Sequence, residues 1–232
     1  MKDNKIDGSK IIGAADFIIS RKRKLYKFAK FNESDNCFQL EEWRAFLKDH
    51  SGVFKQKNLT AEIGAGTALF LVEQAKRFPD RIFVAVDVKS DRLYQGARKA
   101  REEKLSNIYF VRSRVEEVTQ IFLSNSVSEI WLTFSDPYPR SSDARHRLTH
   151  ERYLKLYQKI LSRNGKLYLK TDSNGLFEYS KQSFQGSGWQ ILEETGDLHG
   201  DNNLPEDCKV MTSYEQRFVI EGRKIYFLVA KP

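Results

Sequence analysis

Glu62-Ile-Gly-Ala-Gly-Thr-Ala68 decides how this chain is read. It follows an apolar run at residues 58–63 and opens a helical pattern at 67–78, so it is a glycine-rich turn from a strand into a helix. Glycines let such a turn bring its backbone close to a ligand, and the helix start offers free N–H groups. A dinucleotide fingerprint would need glycine at position 69, where Leu69 stands. Glu62, an acid directly ahead of the turn, also disfavours a pyrophosphate.

Outward from this turn the pattern alternates. Further apolar runs near 82–86, 107–111, 129–134 and 166–170 read as strands, with helical patterns near 90–104, 115–123 and 150–163 between them. Strand–helix repetition of this kind predicts an α/β fold: a Rossmann-like, mostly parallel, doubly wound sheet with helices on both faces. A helix near 175–184, ended by Gly186-Ser-Gly188, and strands near 189–195 and 223–230 bring the expected sheet to about seven strands. Residues 39–50 form an amphipathic helix with Leu40, Trp43 and Leu47 on one face, and Leu154, Tyr157, Ile160 and Leu161 read as core. Residues 1–36 lack strong periodicity and read as a polar, basic arm, its order left open, ahead of a single domain at 37–232. The polar stretch Gly196 to Lys209 is a loop long enough to suggest a functional role.

With 40% hydrophobic residues, including 16 Phe and 10 Tyr, the 232-residue chain can bury a full core. No run reaches the roughly 18 apolar residues needed to cross a bilayer, and the start matches no secretory pattern, so a cytoplasmic protein without membrane attachment is expected. Cys37 and Cys208 are too few and too far apart for a disulfide framework or a zinc site. His146 and His150 are spaced i,i+4 but lack a third ligand, so no metal is expected.

The formal charge of +8 favours a polyanionic partner. Its distribution sharpens this to nucleic acid. Arg21-Lys-Arg-Lys24, Lys27 and Lys30 interleave with Tyr26, Phe28 and Phe31, and a second group holds Arg140, Arg145, His146 and Arg147. Arg21, Arg23, Arg145, His146 and Arg147 are the candidate RNA or DNA contacts, set against phosphates.

Two acids complete the candidate site. Asp87 ends the strand at 82–86, the place of the carboxylate that binds ribose hydroxyls in nucleotide-binding α/β folds. The run Trp131-Leu-Thr-Phe-Ser-Asp-Pro-Tyr-Pro-Arg140 carries a strand straight into Asp136, followed by Pro137 and Pro139 around Tyr138. Proline fixes its own φ and pushes the preceding residue toward extended geometry, so the strand stops abruptly and holds an acid and an aromatic ring at its C-terminal end. Ligands sit at that end of open α/β sheets.

Glu62-x-Gly-x-Gly66 resembles the S-adenosylmethionine loop of class I methyltransferases, in which the carboxylate faces the cationic methionine end. From Glu62 onward the chain resembles bacterial tRNA (guanine-N7)-methyltransferases. The matching motifs, in the family's order, are the glycine turn, Phe134-Ser-Asp-Pro-Tyr-Pro-Arg140, Arg145-His-Arg-Leu-Thr149, Lys170-Thr-Asp172, Leu176-Phe-Glu-Tyr-Ser180, Asp197-Leu-His199 and Thr212-Ser-Tyr-Glu215. The resemblance implies methylation of guanine, conventionally position 46 of the tRNA variable loop, with S-adenosyl-L-methionine as cofactor and tRNA as partner, by a monomer or homodimer. It implies that Glu62, Gly64, Gly66, Asp87 and Asp136 bind the cofactor and that Asp136 is the central acid. It places Arg140, Asp172, Thr212, Ser213, Tyr214 and Glu215 with the substrate.

Four departures from the family pattern stand out: Ala68 in place of a third Gly, Tyr138 in place of Trp, Arg114 where an acid or amide approaches adenine, and Ser141-Ser142-Asp143 in a loop that is usually more basic. Asp-Pro-Tyr-Pro also loosely resembles the Asp-Pro-Pro-Tyr signature of exocyclic-amine methyltransferases, whose residue order differs. A third reading, from Ala68 and Arg114, is an RNA-binding relative without catalysis.

Overall fold

The computed structural model describes residues 22–56 and 58–232. Among these, a sheet of eight strands carries helices on both faces. Five strands run parallel: β1 (Cys37–Gln39), β2 (Leu59–Ile63), β3 (Ile82–Asp87), β4 (Ile108–Arg112) and β5 (Val127–Thr133). A sixth, β6 (Leu161–Thr171), is parallel to β5, whereas β8 (Tyr226–Lys231) is antiparallel to β6 and β7 (Gln190–Thr195) is antiparallel to β8. The spatial order is β1-β4-β3-β2-β5-β6-β8-β7. The order reverses between β2 and β5, and a crevice opens there at the carboxyl ends of the strands.

The central strands are apolar on both faces because helices cover both. Along β3, Ile82, Val84 and Val86 pack into one core, while Phe83 and Ala85 pack into the other. The first core takes Trp43 and Leu47 of α2 (Leu40–Gln56) and Leu154, Tyr157 and Ile160 of α6 (Glu151–Ile160). Trp43 is fully buried, and its Nε1 donates to the Ile121 carbonyl at 2.7 Å. The second takes Leu71 of α3 (Leu69–Arg77) and Ala97 and Ala100 of α4 (Ser90–Glu102).

The structure differs from the expected secondary structure at several points. β1 is an eighth strand, three residues long and at the sheet edge, too short to carry an alternation signal. The helix expected over 115–123 is a 3-10 turn at Val115–Glu117 followed by one α-turn, α5 (Val118–Ile121). The helix expected over 150–163 stops at Ile160, because Leu161 already pairs with Val127 of β5. Finally, α1 (Lys22–Asn32) lies inside the expected arm: Phe28 and Phe31 are buried, and Phe31 packs beside Ala97 and Ala100 of α4. The aromatics that interleave the lysines there anchor the helix.

Two helices follow β6: α7 (Asn174–Gly186), capped by the Ser173 hydroxyl, and α8 (Ser213–Ile220), capped by the Thr212 hydroxyl. Among the described residues no helix is long and apolar enough to cross a membrane.

Candidate active site

The glycine turn is pinned to the end of β3. Gly64 and Ala65 both donate their N–H groups to the Val86 carbonyl, at 2.9 and 3.1 Å. Gly66 N–H donates to Asp87 Oδ2 at 2.8 Å, and Lys89 N–H to Asp87 Oδ1 at 2.8 Å. Gly64 sits at φ 72°, and a side chain there would meet Leu148 Cδ1 at 2.8 Å. From α4, Gly96 lets the helix press on the turn; a Cβ at that position would lie 2.5 Å from the Thr67 carbonyl.

Around the turn opens a cleft of about 880 Å³. Its floor holds Glu62, Gly64, Gly66 and Asp87. Ser113, Arg114, Val115 and Glu116, from the end of β4, form one side, with Tyr153 of α6. Thr133, Ser135, Asp136, Tyr138 and His146 form the other, and Thr212 closes the rim.

Glu62 is buried. Its Oε1 accepts a 2.5 Å hydrogen bond from Thr133 Oγ1, while its Oε2 is buried with no partner among the described residues. Burial pushes its pKa up to about 8, with the Thr133 bond opposing and the Asp87 charge adding to the rise. An orphaned carboxylate oxygen at the base of a cleft suits a cationic ligand.

The proline corner is built from strained backbone. Phe134 has φ 49° and Tyr138 φ 44°, and neither is glycine. Tyr138 thus departs from the extended geometry expected ahead of Pro139. Phe134 N–H donates to the Lys170 carbonyl at 2.8 Å, which fixes the start of the corner on β6. Arg147 fixes its far end: Nη2 donates to the Tyr138 carbonyl at 2.8 Å, Nε donates to the Pro137 carbonyl at 3.1 Å, and the guanidinium lies 4.2 Å over the Tyr179 ring. Asp136 stands exposed between these two ties and makes no hydrogen bond or ion pair among the described residues.

The cleft therefore gathers Glu62, Gly64, Gly66, Asp87, Asp136, His146 and Thr212. Other candidates are placed differently. Arg140 and Arg145 are exposed outside the cleft lining, flanking the 3-10 turn Ser141–His146 or within it. Arg147, expected at a phosphate, is buried and spends its donors on the corner's carbonyls. Asp172, expected with the substrate, is ion-paired with Arg223, whose guanidinium lies 4.1 Å over Phe218.

Glu215, expected with the substrate, is fully buried against Lys170 and His199. Ser213 and Tyr214 open α8, but their side chains lie outside the described residues, as does that of Arg23 in α1. Arg21 lies outside the described residues altogether. Thr133, Glu116 and Tyr153 also belong to the cleft, although none is singled out from the sequence; they stand at the end of β5, in the 3-10 turn after β4 and at the start of α6. Tyr153 Oη donates to Glu116 Oε1 at 2.9 Å, and burial pushes its pKa up to about 12. His150, read as half of an i,i+4 pair, instead accepts the Arg152 N–H at the start of α6.

A family model described as a putative methyltransferase matches residues 56–228. A protein of Oceanobacillus iheyensis named tRNA (guanine-N(7)-)-methyltransferase is 37% identical over 85% of this chain and 92% of its own length. One of the same name from Mycoplasmopsis pulmonis is 38% identical over 85% of this chain and 95% of its own. Among solved structures, an antibiotic-related methyltransferase superposes with a TM-score of 0.61 at 16% identity, covering 79% of this chain and 92% of that one, which shows the shared fold. With its motifs in register from the glycine turn to α8, the chain belongs to the tRNA (guanine-N7)-methyltransferase family.

Proposed function

We propose that this protein transfers a methyl group from S-adenosyl-L-methionine to N7 of a guanine in tRNA, at position 46 of the variable loop. The observation that carries the reading is the meeting of two acids in one cleft: Glu62, with a buried orphan oxygen, and Asp136, exposed just beyond the end of the neighbouring strand.

The cofactor supplies a methyl group already activated on a sulfonium. Glu62 takes its cationic methionine end, and burial makes that pairing stronger than it would be in water. Both oxygens of Asp87 already accept backbone N–H groups, yet a carboxylate has further lone pairs, and these take the ribose hydroxyls. Guanine N7 carries an in-plane lone pair and needs no deprotonation. The protein's task is positioning and electrostatics. Asp136 accepts from the guanine N–H edge and stabilises the positive charge that methylation leaves on the ring, while Tyr138 offers a stacking face. Arg140, Arg145 and His146 beside the corner, with Arg21 and Arg23 of the basic arm, meet tRNA phosphates.

The test is to incubate the protein with labelled S-adenosylmethionine and unmodified tRNA, then cleave with borohydride and aniline. The expected outcome is a single break in the variable loop. Label in an adenosine or cytidine amine would contradict the reading.

A further inference from the structure

We infer that Glu215 is a positioning residue: with Lys170 and His199 it forms a buried ionic latch that holds the segment Val210–Glu215, and with it Thr212, against the cleft. The inference rests on the reading of the cleft as a guanine-methylating site and changes the part Glu215 plays there.

Lys170 and Glu215 are both fully buried. Lys170 Nζ lies 2.7 Å from Glu215 Oε1 and 2.9 Å from Oε2, donates to the Val210 carbonyl at 3.0 Å, and sits 5.2 Å from the centre of the Phe70 ring. His199 Nε2 is 2.9 Å from Glu215 Oε1. The Glu215 oxygens are thus engaged by two side chains behind a closed surface, where no base can reach them.

Lys170 also links two walls of the site. Its carbonyl accepts the Phe134 N–H at the root of the proline corner, and its ammonium grips Val210 and Glu215. Glu215 N–H in turn donates to Thr212 Oγ1 at 3.2 Å, and Thr212 lines the cleft. Burying such a pair costs desolvation that its attraction does little more than offset, so stability alone does not account for it. Fixed geometry does: one ammonium sets how far the Thr212 rim stands from the Asp136 corner.

A double-mutant cycle tests this. Glu215→Gln and Lys170→Met, each leaving an unmatched buried partner, are expected to lower kcat/KM for tRNA by at least about tenfold while S-adenosylhomocysteine affinity stays within about threefold. The double variant Lys170→Met/Glu215→Gln, which leaves no buried charge at the pair and no ammonium to grip Val210, is expected to fold and to be no more than about threefold slower than either single variant, the non-additivity of two groups acting as one unit. Amide exchange at residues 212–216 is expected to quicken in each single variant and to stay equally fast in the double one.

If Glu215 instead contacts guanine directly, its loss and that of Lys170 are independent, and the two impairments add in the double variant. That result overturns the inference, as does a double variant that fails to fold. Unchanged exchange in a folded single variant also overturns it. If the parent protein itself leaves guanine N7 unmethylated, the functional reading fails, and the exchange measurement still decides the latch.

Discussion

Thr133 of β5 donates a 2.5 Å hydrogen bond to Oε1 of Glu62 on β2, which leaves Oε2 unpaired at the base of the cleft. The bond crosses the point where the sheet order reverses, and it aims one half of a buried carboxylate at whatever the cleft holds. Glu62→Gln keeps the shape and removes the carboxyl group that a bound cation would draw into its charged form. Binding of S-adenosylmethionine is expected to weaken by roughly 10–100-fold in isothermal titration, the cost of losing a charge-assisted bond. Affinity equal to the parent's would remove Glu62 from the cofactor site.

The same residue gives a pH signature in the free protein. Its folded pKa of about 8 stands above the ordinary 4.5, so across that window the unfolded chain releases a proton that the folded chain retains. Stability therefore falls as pH rises from 4.5 to about 8, by up to about 1.4 kcal/mol per unit from this group, and levels off above. Urea melts across this range are expected to show a shallower fall in Glu62→Gln than in the parent.

Arg147 separates a structural role from an RNA contact. If its donors serve Pro137 and Tyr138, then Arg147→Ala leaves the salt slope of tRNA binding unchanged and lowers the methylation rate by relaxing the corner. Arg140→Ala or Arg145→Ala is expected to reduce that slope by a little under one for each phosphate that the arginine neutralises. Filter binding between 50 and 200 mM salt reads both.

Ala68 caps α3 at φ 53°, a left-handed conformation that a Cβ disfavours. Ala68→Gly is expected to raise stability by about 1 kcal/mol, seen as a higher midpoint in calorimetry, with cofactor binding retained. A lower midpoint would mean that the extra freedom of the unfolded glycine chain outweighs the strain.

The central architecture was legible because buried strands and amphipathic helices keep their periods: Ile82 to Val86, and Leu154 with Tyr157 and Ile160, stand where their spacing puts them. The edge strand Cys37–Gln39 was not, since its three residues hold no period and its place comes from pairing with β4. Of the site, Glu62, Asp87 and Asp136 could be read because each ends a strand or lies just beyond one, and strand ends at the reversal point converge. The burial of Glu215 and Arg147 could not be read, because a charged side chain in a motif looks the same whether it faces a ligand or a buried partner. Only the long-range contacts of Lys170 and of the Tyr138 carbonyl distinguish the two.

Asp136 carries the central claim. Single-turnover methylation of unmodified tRNA by Asp136→Ala, followed by borohydride and aniline cleavage, tests it most directly. Loss of preorganised charge stabilisation is expected to slow transfer by about 10²–10³-fold with tRNA affinity nearly intact. Variable-loop cleavage at the parent's rate would contradict the role of this carboxylate and, with it, the account of how the cleft works.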